Sequence, residues 1–259
     1  MALNTFQQMK YNFLIIYYMT DLYNNKYLKY KNKYNKLKNK INQYGGEPVD
    51  DYINELKTLY PSCQHDNGQI KDALKYQKIN QSITYGEMEY QGIELFNKLF
   101  NNTNIKYFID FGSGRGKLSL YMASIPNIKK SYGIELVTER HEYAIQLKDT
   151  LAKKLEYSEF ISKVELINDN MFTVLDTIVI DEPALIWISN LCFDLKVTTD
   201  LFNKLSEKMK SGSIIGCSKK PSTLPERIVE LISEGKTDNS LSVEMSWNKT
   251  STIYIYKVI

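Results

Sequence analysis

The residues best suited to chemistry in this 259-residue chain lie in the stretch FIDFGSGRG, residues 108–116. An apolar run ends in the carboxylate of Asp110, and three glycines follow at alternate positions, Gly112, Gly114 and Gly116. A strand followed by a glycine-rich turn is typical of nucleotide-binding loops, because glycine lets the backbone approach the ligand closely. The stretch therefore predicts a loop that binds a nucleotide-like ligand.

The acid and the glycine spacing separate this loop from a dinucleotide-binding loop. The dinucleotide fingerprint is G-x-G-x-x-G, whereas here the third glycine comes one residue early. The carboxylate of Asp110 would repel a pyrophosphate, but it would attract an ammonium group, such as the one on the methionyl end of S-adenosylmethionine. The pattern D-x-G-x-G-x-G resembles motif I of class I methyltransferases, and a nicotinamide or flavin site is the alternative.

Two further positions are candidates to complete such a site. Glu135 ends the run SYGIE, 19 residues after Gly116, where an acid accepts hydrogen bonds from both ribose hydroxyls. Asn170 and Met171 follow the third predicted strand and are candidates to hold the adenine amino group and ring face. Asp169 is the alternative if the contact is shifted by one residue.

The elements that must position these residues alternate along the chain. Short apolar strands are predicted at 105–110, 130–135, 163–168, 184–190 and 213–218, and β-rich runs at 240–247 and 251–258. Helices are predicted at 50–59, 70–80, 86–101, 116–124, 138–155 and 196–210. This order predicts an α/β fold, a Rossmann-like, mostly parallel seven-stranded sheet with an antiparallel C-terminal hairpin and N-terminal helices.

Charge divides the chain into an N-terminal arm and a larger body. Residues 1–50 contain eight lysines and three acidic residues, a charge of +5, so the rest of the chain carries −2 of the net +3. We therefore predict three parts: a basic helical arm at 1–46, a helical N-terminal part of the catalytic domain at 47–104, and a cofactor-binding core at 105–259.

The arm has the pattern of an amphipathic helix. Apolar and aromatic residues recur at spacings of three and four, from Tyr23 to Tyr44, which places them in one stripe. The other faces carry seven lysines and no acid, namely Lys26, Lys29, Lys31, Lys33, Lys36, Lys38 and Lys40. Two compatible interpretations remain: a helix that packs its stripe on the body or a second copy, and a basic arm that binds nucleic acid.

Few residues suit nucleophilic or metal chemistry. Cys63, Cys192 and Cys217 are far apart, and His65 and His141 are the two histidines. This pattern predicts no metal site or disulfide framework, and a reducing compartment is expected. The apolar run at 13–19 is too short to span a bilayer, and no signal-peptide cleavage site is evident.

Five segments taken together resemble one family. They are TYGE 84–87, FIDFGSGRGKLSLYMA 108–123, SYGIE 131–135, IWISNLCFD 186–194 and SVEMSWNKTSTIYIY 242–256, and they extend over about 170 residues. The chain is similar to the disruptor-of-telomeric-silencing family, histone-lysine methyltransferases without a SET domain that modify histone H3 lysine-79 on the nucleosome. The YGE segment and the W-x₆-Y hairpin are the discriminating pieces, because the glycine loop alone is generic.

The resemblance implies roles for the cofactor side of the site. Tyr85 and Glu87 would belong to the loop that closes over S-adenosylmethionine. Asp110, Gly112 and Glu135 would bind it. The family carries an Asp-Phe pair where this chain has Asn170-Met171, a change that keeps some hydrogen-bonding ability.

The resemblance also implies an acceptor channel. Phe193, Trp247 and Tyr254 would line a narrow channel for the lysine side chain, although on sequence alone Trp247 and Tyr254 are better explained as hairpin core. The family has two asparagines after the fourth strand, where this chain has Ser189 and Asn190. That departure affects the polar contact nearest the methyl group.

By the same resemblance the partner would be a nucleosome, bound through histone H3 and, by the basic arm, through nucleosomal DNA. The location would be the nucleus or another chromatin-containing compartment. The composition is similar to that of proteins from giant DNA viruses of protists, for which the host nucleus or a viral factory is expected, and a free-living protist is the alternative source. Two alternatives stay open: a methyltransferase acting on RNA or another protein, and a catalytically inactive cofactor-binding module that tethers to chromatin.

Overall fold

A computed structural model describes residues 48–62, 86–98, 100, 103–232 and 238–259. The basic arm at 1–46 with its seven lysines, the predicted helix at 70–80 and Tyr85 lie outside these residues. Residues 51–259 form one compact unit, and residues 1–50 are assigned to another.

Helices and strands alternate through the described part of the chain. The helices are α1 (Pro48–Leu59), α2 (Tyr90–Lys98), α3 (Lys117–Met122), α4 (Thr138–Ala152), α5 (Ser158–Lys163), α6 (Met171–Thr177) and α7 (Leu195–Lys208). The strands are β1 (Tyr107–Phe111), β2 (Lys130–Ile134), β3 (Val164–Ile167), β4 (Ala184–Ile188), β5 (Ile214–Cys217), β6 (Ile228–Glu230), β7 (Ser240–Met245) and β8 (Asn248–Val258). None of the helices in these ranges has the length and apolar character needed to cross a bilayer.

The strands form one sheet in the order β3-β2-β1-β4-β5-β8-β6, with β7 paired to β8. The pairs among β1 to β5 are parallel, and every pair made by β8 is antiparallel. This confirms the predicted mostly parallel α/β sheet with an antiparallel C-terminal hairpin. The described residues contain eight strands instead of seven, because the short run Ile228–Glu230 pairs with β8 and has too little apolar alternation to be recognised.

Both faces of the sheet are covered by helices. On one face, α7 packs Leu201, Phe202 and Leu205, all fully buried, and the Phe202 ring meets Tyr256 of β8 at 5.2 Å. Their spacing places them on one side of α7. On the other face, Phe96 of α2 lies edge-on to the ring of a β4 tryptophan at 5.5 Å. Because both faces are covered, the free carboxyl ends of β1, β2 and β4 are where a ligand would bind.

The segment 86–89 differs from its prediction. A helix was expected from residue 86, but the helix begins at Tyr90 and residues 86–89 run beside the C-terminal hairpin. Met88 bridges Met245, the Glu89 N–H donates to the Glu244 carbonyl at 3.0 Å, and the Ser246 N–H donates to the Glu87 carbonyl at 2.8 Å. These long-range bonds satisfy the backbone in place of helical ones.

Candidate active site

The glycine loop joins β1 to α3 in a conformation that glycine adopts readily. The φ angles of Gly112, Gly114 and Gly116 are 83°, 55° and 80°, in the left-handed region where a Cβ is unfavourable. The N–H groups of Gly112 and Ser113 both donate to the carbonyl of Ile134, at 2.9 and 3.0 Å. The loop is therefore fixed against the end of β2.

Asp110 lies on β1 at the base of this loop, with only 2% of its surface exposed. The Ser119 hydroxyl donates to Oδ2 at 3.4 Å, whereas Oδ1 accepts no hydrogen bond from the described residues. Burial, and then the charges of Glu135 and Glu87, raise the pKa of Asp110 well above its usual value. An ammonium group at Oδ1 would supply both the missing hydrogen bond and the opposite charge.

Glu135 follows β2, and its carboxylate is bound to the loop backbone. Oε2 accepts a hydrogen bond from the Gly114 N–H at 2.7 Å, and Oε1 accepts one from the Val137 N–H at 2.8 Å. The side-chain amide of Asn168 donates to the Glu135 carbonyl at 2.8 Å and so fixes the backbone there. Both oxygens of this carboxylate therefore lie against the backbone at the carboxyl end of β2.

Glu87 reaches the same region from the segment 86–89. The Tyr60 hydroxyl donates to its Oε1 at 3.0 Å, and the Nζ of Lys117 lies 3.0 Å from its Oε2. Sequence reasoning did not identify Lys117, whose side chain is 2% exposed. The available signal was a lysine placed directly after the third glycine, at the start of the apolar run KLSLYM.

Several of these groups line one pocket at the carboxyl edge of the sheet, although Glu135 lies outside its wall. Its wall includes Glu87, Asp110, Gly112, Lys117, Trp187 and Ser189. Trp187, which is 3% exposed on β4, was also not identified as a site residue from the sequence. The pocket combines carboxylates with an aromatic ring, a combination suited to a cationic ligand.

The two residues after β4 have different surroundings. Ser189 lines the pocket, whereas Asn190 is fully buried. The Asn190 Oδ1 accepts from the Lys219 N–H at 2.9 Å, and its Nδ2 donates to the Lys219 carbonyl at 2.8 Å and to Thr198 Oγ1 at 3.3 Å. The Asn190 amide therefore holds the segment after β5, and Ser189 is the member of the pair that faces the pocket.

The three aromatic residues predicted to line the acceptor channel are held in different ways. Phe193 and Tyr254 are partly buried and pack against the same hydrophobic cluster beneath α7. Trp247 lies in the two-residue turn between β7 and β8 and is 41% exposed. Its ring rests on Gly86, where an added Cβ would come within 2.2 Å of the ring.

The predicted adenine contacts have structural partners of their own. The Oδ1 of Asn170 accepts from the Phe172 N–H at 2.9 Å and caps the start of α6. Met171, the first residue of α6, is buried in the hydrophobic cluster. Both residues follow β3 at the carboxyl edge, as the sequence predicted, but their contact with a ligand stays a prediction. Nowhere in the described ranges do three His, Cys, Asp or Glu side chains converge as a metal site requires.

Comparison with known proteins identifies a family over most of the chain. The family described as "Histone methylation protein DOT1" matches residues 68–255. The chain is also 29% identical over 160 residues to a histone-lysine N-methyltransferase, H3 lysine-79 specific, from Caenorhabditis elegans. That match covers 61% of this chain and 17% of the relative's length.

Solved structures with a similar fold are more distant. A putative O-methyltransferase from Klebsiella pneumoniae has a TM-score of 0.47 and 14% identity, with coverage of 83% of this chain and 91% of its own. TrmN from Thermus thermophilus has a TM-score of 0.48 and 13% identity, with coverage of 64% and 48%. Similarity of this degree carries no information about the substrate.

Proposed function

Because the chain belongs to the family of DOT1 histone methylation proteins, we propose that it transfers a methyl group from S-adenosylmethionine to a lysine of nucleosomal histone H3, of the lysine-79 type. The observation that carries the proposal is the buried carboxyl of Asp110 beneath a glycine loop, with an Oδ1 that accepts no hydrogen bond from the described residues. This is the arrangement that a cofactor with an ammonium group needs.

The residues around the glycine loop suit the cofactor in three respects. Asp110 would accept the methionyl ammonium, since the positive charge of the ligand offsets the cost of burying the charged carboxylate, the cost that raises its pKa. Glu135 would accept the ribose hydroxyls, since each carboxylate oxygen can accept more than one hydrogen bond. Gly112 has no Cβ, and the nearest atom to where one would stand is the Ser189 Cβ at 3.9 Å, so a ligand can approach the backbone there. Tyr85, Asn170 and Met171 complete the proposed contacts.

The bound cofactor would supply a methyl group on a sulfonium, and the acceptor lysine must approach it as a neutral amine. A lysine of pKa about 10.4 is mostly protonated at pH 7, and lowering that value to about 7.4 costs roughly 4 kcal/mol. The aromatic side chains of Phe193, Trp247 and Tyr254 would disfavour the charged form by excluding water. They would also hold the amine in line with the methyl carbon. The proton then leaves to water before transfer, so no strong general base is required.

Residues 51–259 carry a net charge of −2, which does not favour DNA binding, whereas the basic arm is positively charged. Residues 26–40 hold seven lysines and no acid, and we propose that they contact nucleosomal DNA. Each lysine that neutralises a phosphate should add about 0.9 to the steepness of log K against log salt. Replacing the seven lysines with glutamine should therefore weaken nucleosome binding and flatten its salt dependence. Replacing exposed body lysines such as Lys153 and Lys210 should change neither.

The decisive experiment measures transfer of labelled methyl from S-adenosylmethionine to nucleosomes, free histones and total RNA in parallel. Mass spectrometry locates the product, and the Asp110→Asn variant is the matched control. Label on a nucleosomal H3 lysine, absent from the variant, supports the proposal. Label found only on RNA would mean that the methyl acceptor is RNA and not histone H3. Cofactor binding without transfer to any of the three would indicate the chromatin-tethering module instead.

A further inference from the structure

Lys117 is a buried lysine in a position that the proposed chemistry does not yet use. Its side chain is 2% exposed, and Nζ lies 3.0 Å from Glu87 Oε2 and 3.4 Å from Glu89 Oε2. The rings of Tyr90 and Tyr60 are centred 5.2 and 5.6 Å from the same nitrogen. Lysine is almost never fully buried unless it is paired. The two carboxylates of Glu87 and Glu89 therefore account for the burial of Lys117.

The cluster joins three separate parts of the chain. Lys117 is the first residue of α3, directly after the glycine loop, while Glu87 and Glu89 belong to the segment 86–89. Tyr60 follows α1 and donates its hydroxyl to Glu87 Oε1 at 3.0 Å. The Tyr90 hydroxyl in turn donates to the Tyr60 carbonyl at 2.8 Å. Moving the Lys117 ammonium would therefore remove the ion pairs that tie the segment to the start of α3, while its hydrogen bonds to the C-terminal hairpin would remain.

Lys117 also decides which carboxylate of the pocket is free to receive a ligand. Glu87 and Asp110 both line the pocket. The Oε2 of Glu87 and the Oδ1 of Asp110 both accept no hydrogen bond from the described residues, but the ammonium of Lys117 lies 3.0 Å from Glu87 Oε2 and neutralises that carboxylate. An incoming ammonium group is thus directed to Asp110, and the carboxylate of Glu87 stays fixed as part of the pocket wall.

We propose that Lys117 is a positioning residue, which holds the segment 86–89 against the glycine loop through Glu87 and Glu89 and so preforms the pocket for its cationic ligand. The part that concerns ligand binding rests on the proposed function. The part that concerns the segment does not, since it follows from the ion cluster alone.

The chain offers a matched control for this proposal. Lys57 also pairs with a glutamate, Glu94 at 2.9 Å, and its Nζ also lies over the Tyr90 ring, at 5.4 Å. Its side chain is 36% exposed, however, and neither it nor Glu94 lines the pocket. Exposed pairs of this kind contribute little. Lys57→Gln therefore removes the same charge and the same type of contacts without touching the segment.

The test compares Lys117→Gln, Glu89→Gln and Lys57→Gln in two measurements. Hydrogen exchange of peptides covering 86–89 is measured without ligand, and the Kd of S-adenosylhomocysteine is measured by calorimetry. We expect Lys117→Gln to speed exchange and to raise Kd at least about tenfold, since it leaves a buried carboxylate unpaired. Glu89→Gln should shift both in the same direction by less, and Lys57→Gln should leave both unchanged.

Each outcome decides the matter. Unchanged exchange in Lys117→Gln, or equal loss of affinity in Lys57→Gln, overturns the proposal. If Lys117→Gln does not fold, Glu89→Gln carries the test, because its side chain is already 20% exposed and its loss is milder. If the wild-type chain does not bind S-adenosylhomocysteine, the proposed function fails, while the exchange comparison still tests the role of Lys117. Glu87→Gln combined with Lys117→Gln should be less damaging than the sum of the two, since it removes the unpaired carboxylate.

Discussion

The cofactor side and the acceptor side of the proposed site differ in how their side chains are held. Asp110, Glu135 and Lys117 are nearly fully buried, and each is fixed by named hydrogen bonds or ion pairs. Trp247, by contrast, is 41% exposed at the tip of a hairpin. Burying polar groups is costly unless they are paired. The side chains on the cofactor side are therefore held in place, because leaving their hydrogen bonds or ion pairs would cost free energy. The acceptor side is built from aromatic rings, of which Phe193 and Tyr254 pack against the hydrophobic cluster, and we expect a bound substrate to complete it.

The comparison predicts that the largest loss follows from Asp110→Asn. The change keeps the size of the side chain but removes the charge that would meet the ligand's ammonium. Removing one partner of a buried charge pair costs about 2–5 kcal/mol, which corresponds to roughly 30- to 4,000-fold in affinity. Calorimetry measures the affinity of wild type and variant for S-adenosylmethionine. An affinity within threefold of wild type would show that Asp110 does not receive the ammonium.

The same carboxyl predicts a pH dependence with a defined sign. Because its pKa in the folded protein is raised above the unfolded value of about 3.9, the protonated form is favoured on folding. Its contribution to stability is therefore complete below that value and is lost as the pH rises through the folded pKa. Thermal unfolding without ligand should show this decline in wild type and lack it in Asp110→Asn. A bound ammonium lowers the pKa again, so cofactor affinity should rise over the same window.

A smaller loss is expected for Glu135→Gln. The carboxylate accepts hydrogen bonds from the Gly114 and Val137 N–H groups, and an amide retains only one acceptor oxygen. One of the two N–H groups is then left facing a donor, which costs about 1–3 kcal/mol and weakens cofactor binding about tenfold. Glu165→Gln is the control, since that carboxylate is half-exposed on β3 and pairs with Lys130 at the surface. Equal effects of the two changes would contradict the assignment.

The cofactor side was also the more predictable from sequence. Asp110, the three glycines and Glu135 have fixed spacing from the ends of strands, and each strand is an apolar run of ordinary length. Parallel strands bring their carboxyl ends to one edge, so knowing the strands is enough to bring these residues together. Both the residue types of this side and the strands that position them can therefore be recognised from short stretches of the sequence.

The features that sequence reasoning missed depend on partners far along the chain. The segment 86–89 is extended and not helical because Glu89 and Glu87 bond to Glu244 and Ser246. The role of Asn190 in holding Lys219 depends on the path of the loop after β5. The burial of Lys117 likewise depends on Glu87 and Glu89, about thirty residues earlier in the chain. No local pattern encodes such pairs, since each residue alone has the type expected of a surface or strand-end position.

Gly86→Ala tests the contact through which the two sides meet. An added Cβ would stand 2.2 and 2.3 Å from two carbons of the Trp247 ring, so the ring must move. Because the ring is half-exposed, we expect its displacement to cost about 1 kcal/mol, which corresponds to a roughly fivefold lower kcat/KM for nucleosomes. Cofactor affinity should change less than methyl transfer. In a Trp247→Ala background the same glycine change should have no further effect on transfer. A full fivefold loss there would mean that Gly86 acts through the cofactor side instead.

The smallest effect should come from Tyr254→Phe, and this is the change that defines the acceptor side most sharply. If the channel works by excluding water, the ring of Tyr254 matters and its hydroxyl does not, since the ring packs against the hydrophobic cluster and carries the Lys220 ammonium 4.9 Å from its centre. The phenylalanine keeps both contacts, so kcat should stay within about twofold of wild type. Tyr254→Ala removes the ring and should lower kcat about tenfold or more, because water would then stabilise the charged form of the acceptor amine. The pH–rate profile separates this from mere loss of packing: in the alanine variant the limiting pKa should move upward, toward that of free lysine. A phenylalanine variant as impaired as the alanine variant would instead make the hydroxyl a chemical participant, and the acceptor side would then resemble the cofactor side in depending on a fixed polar group.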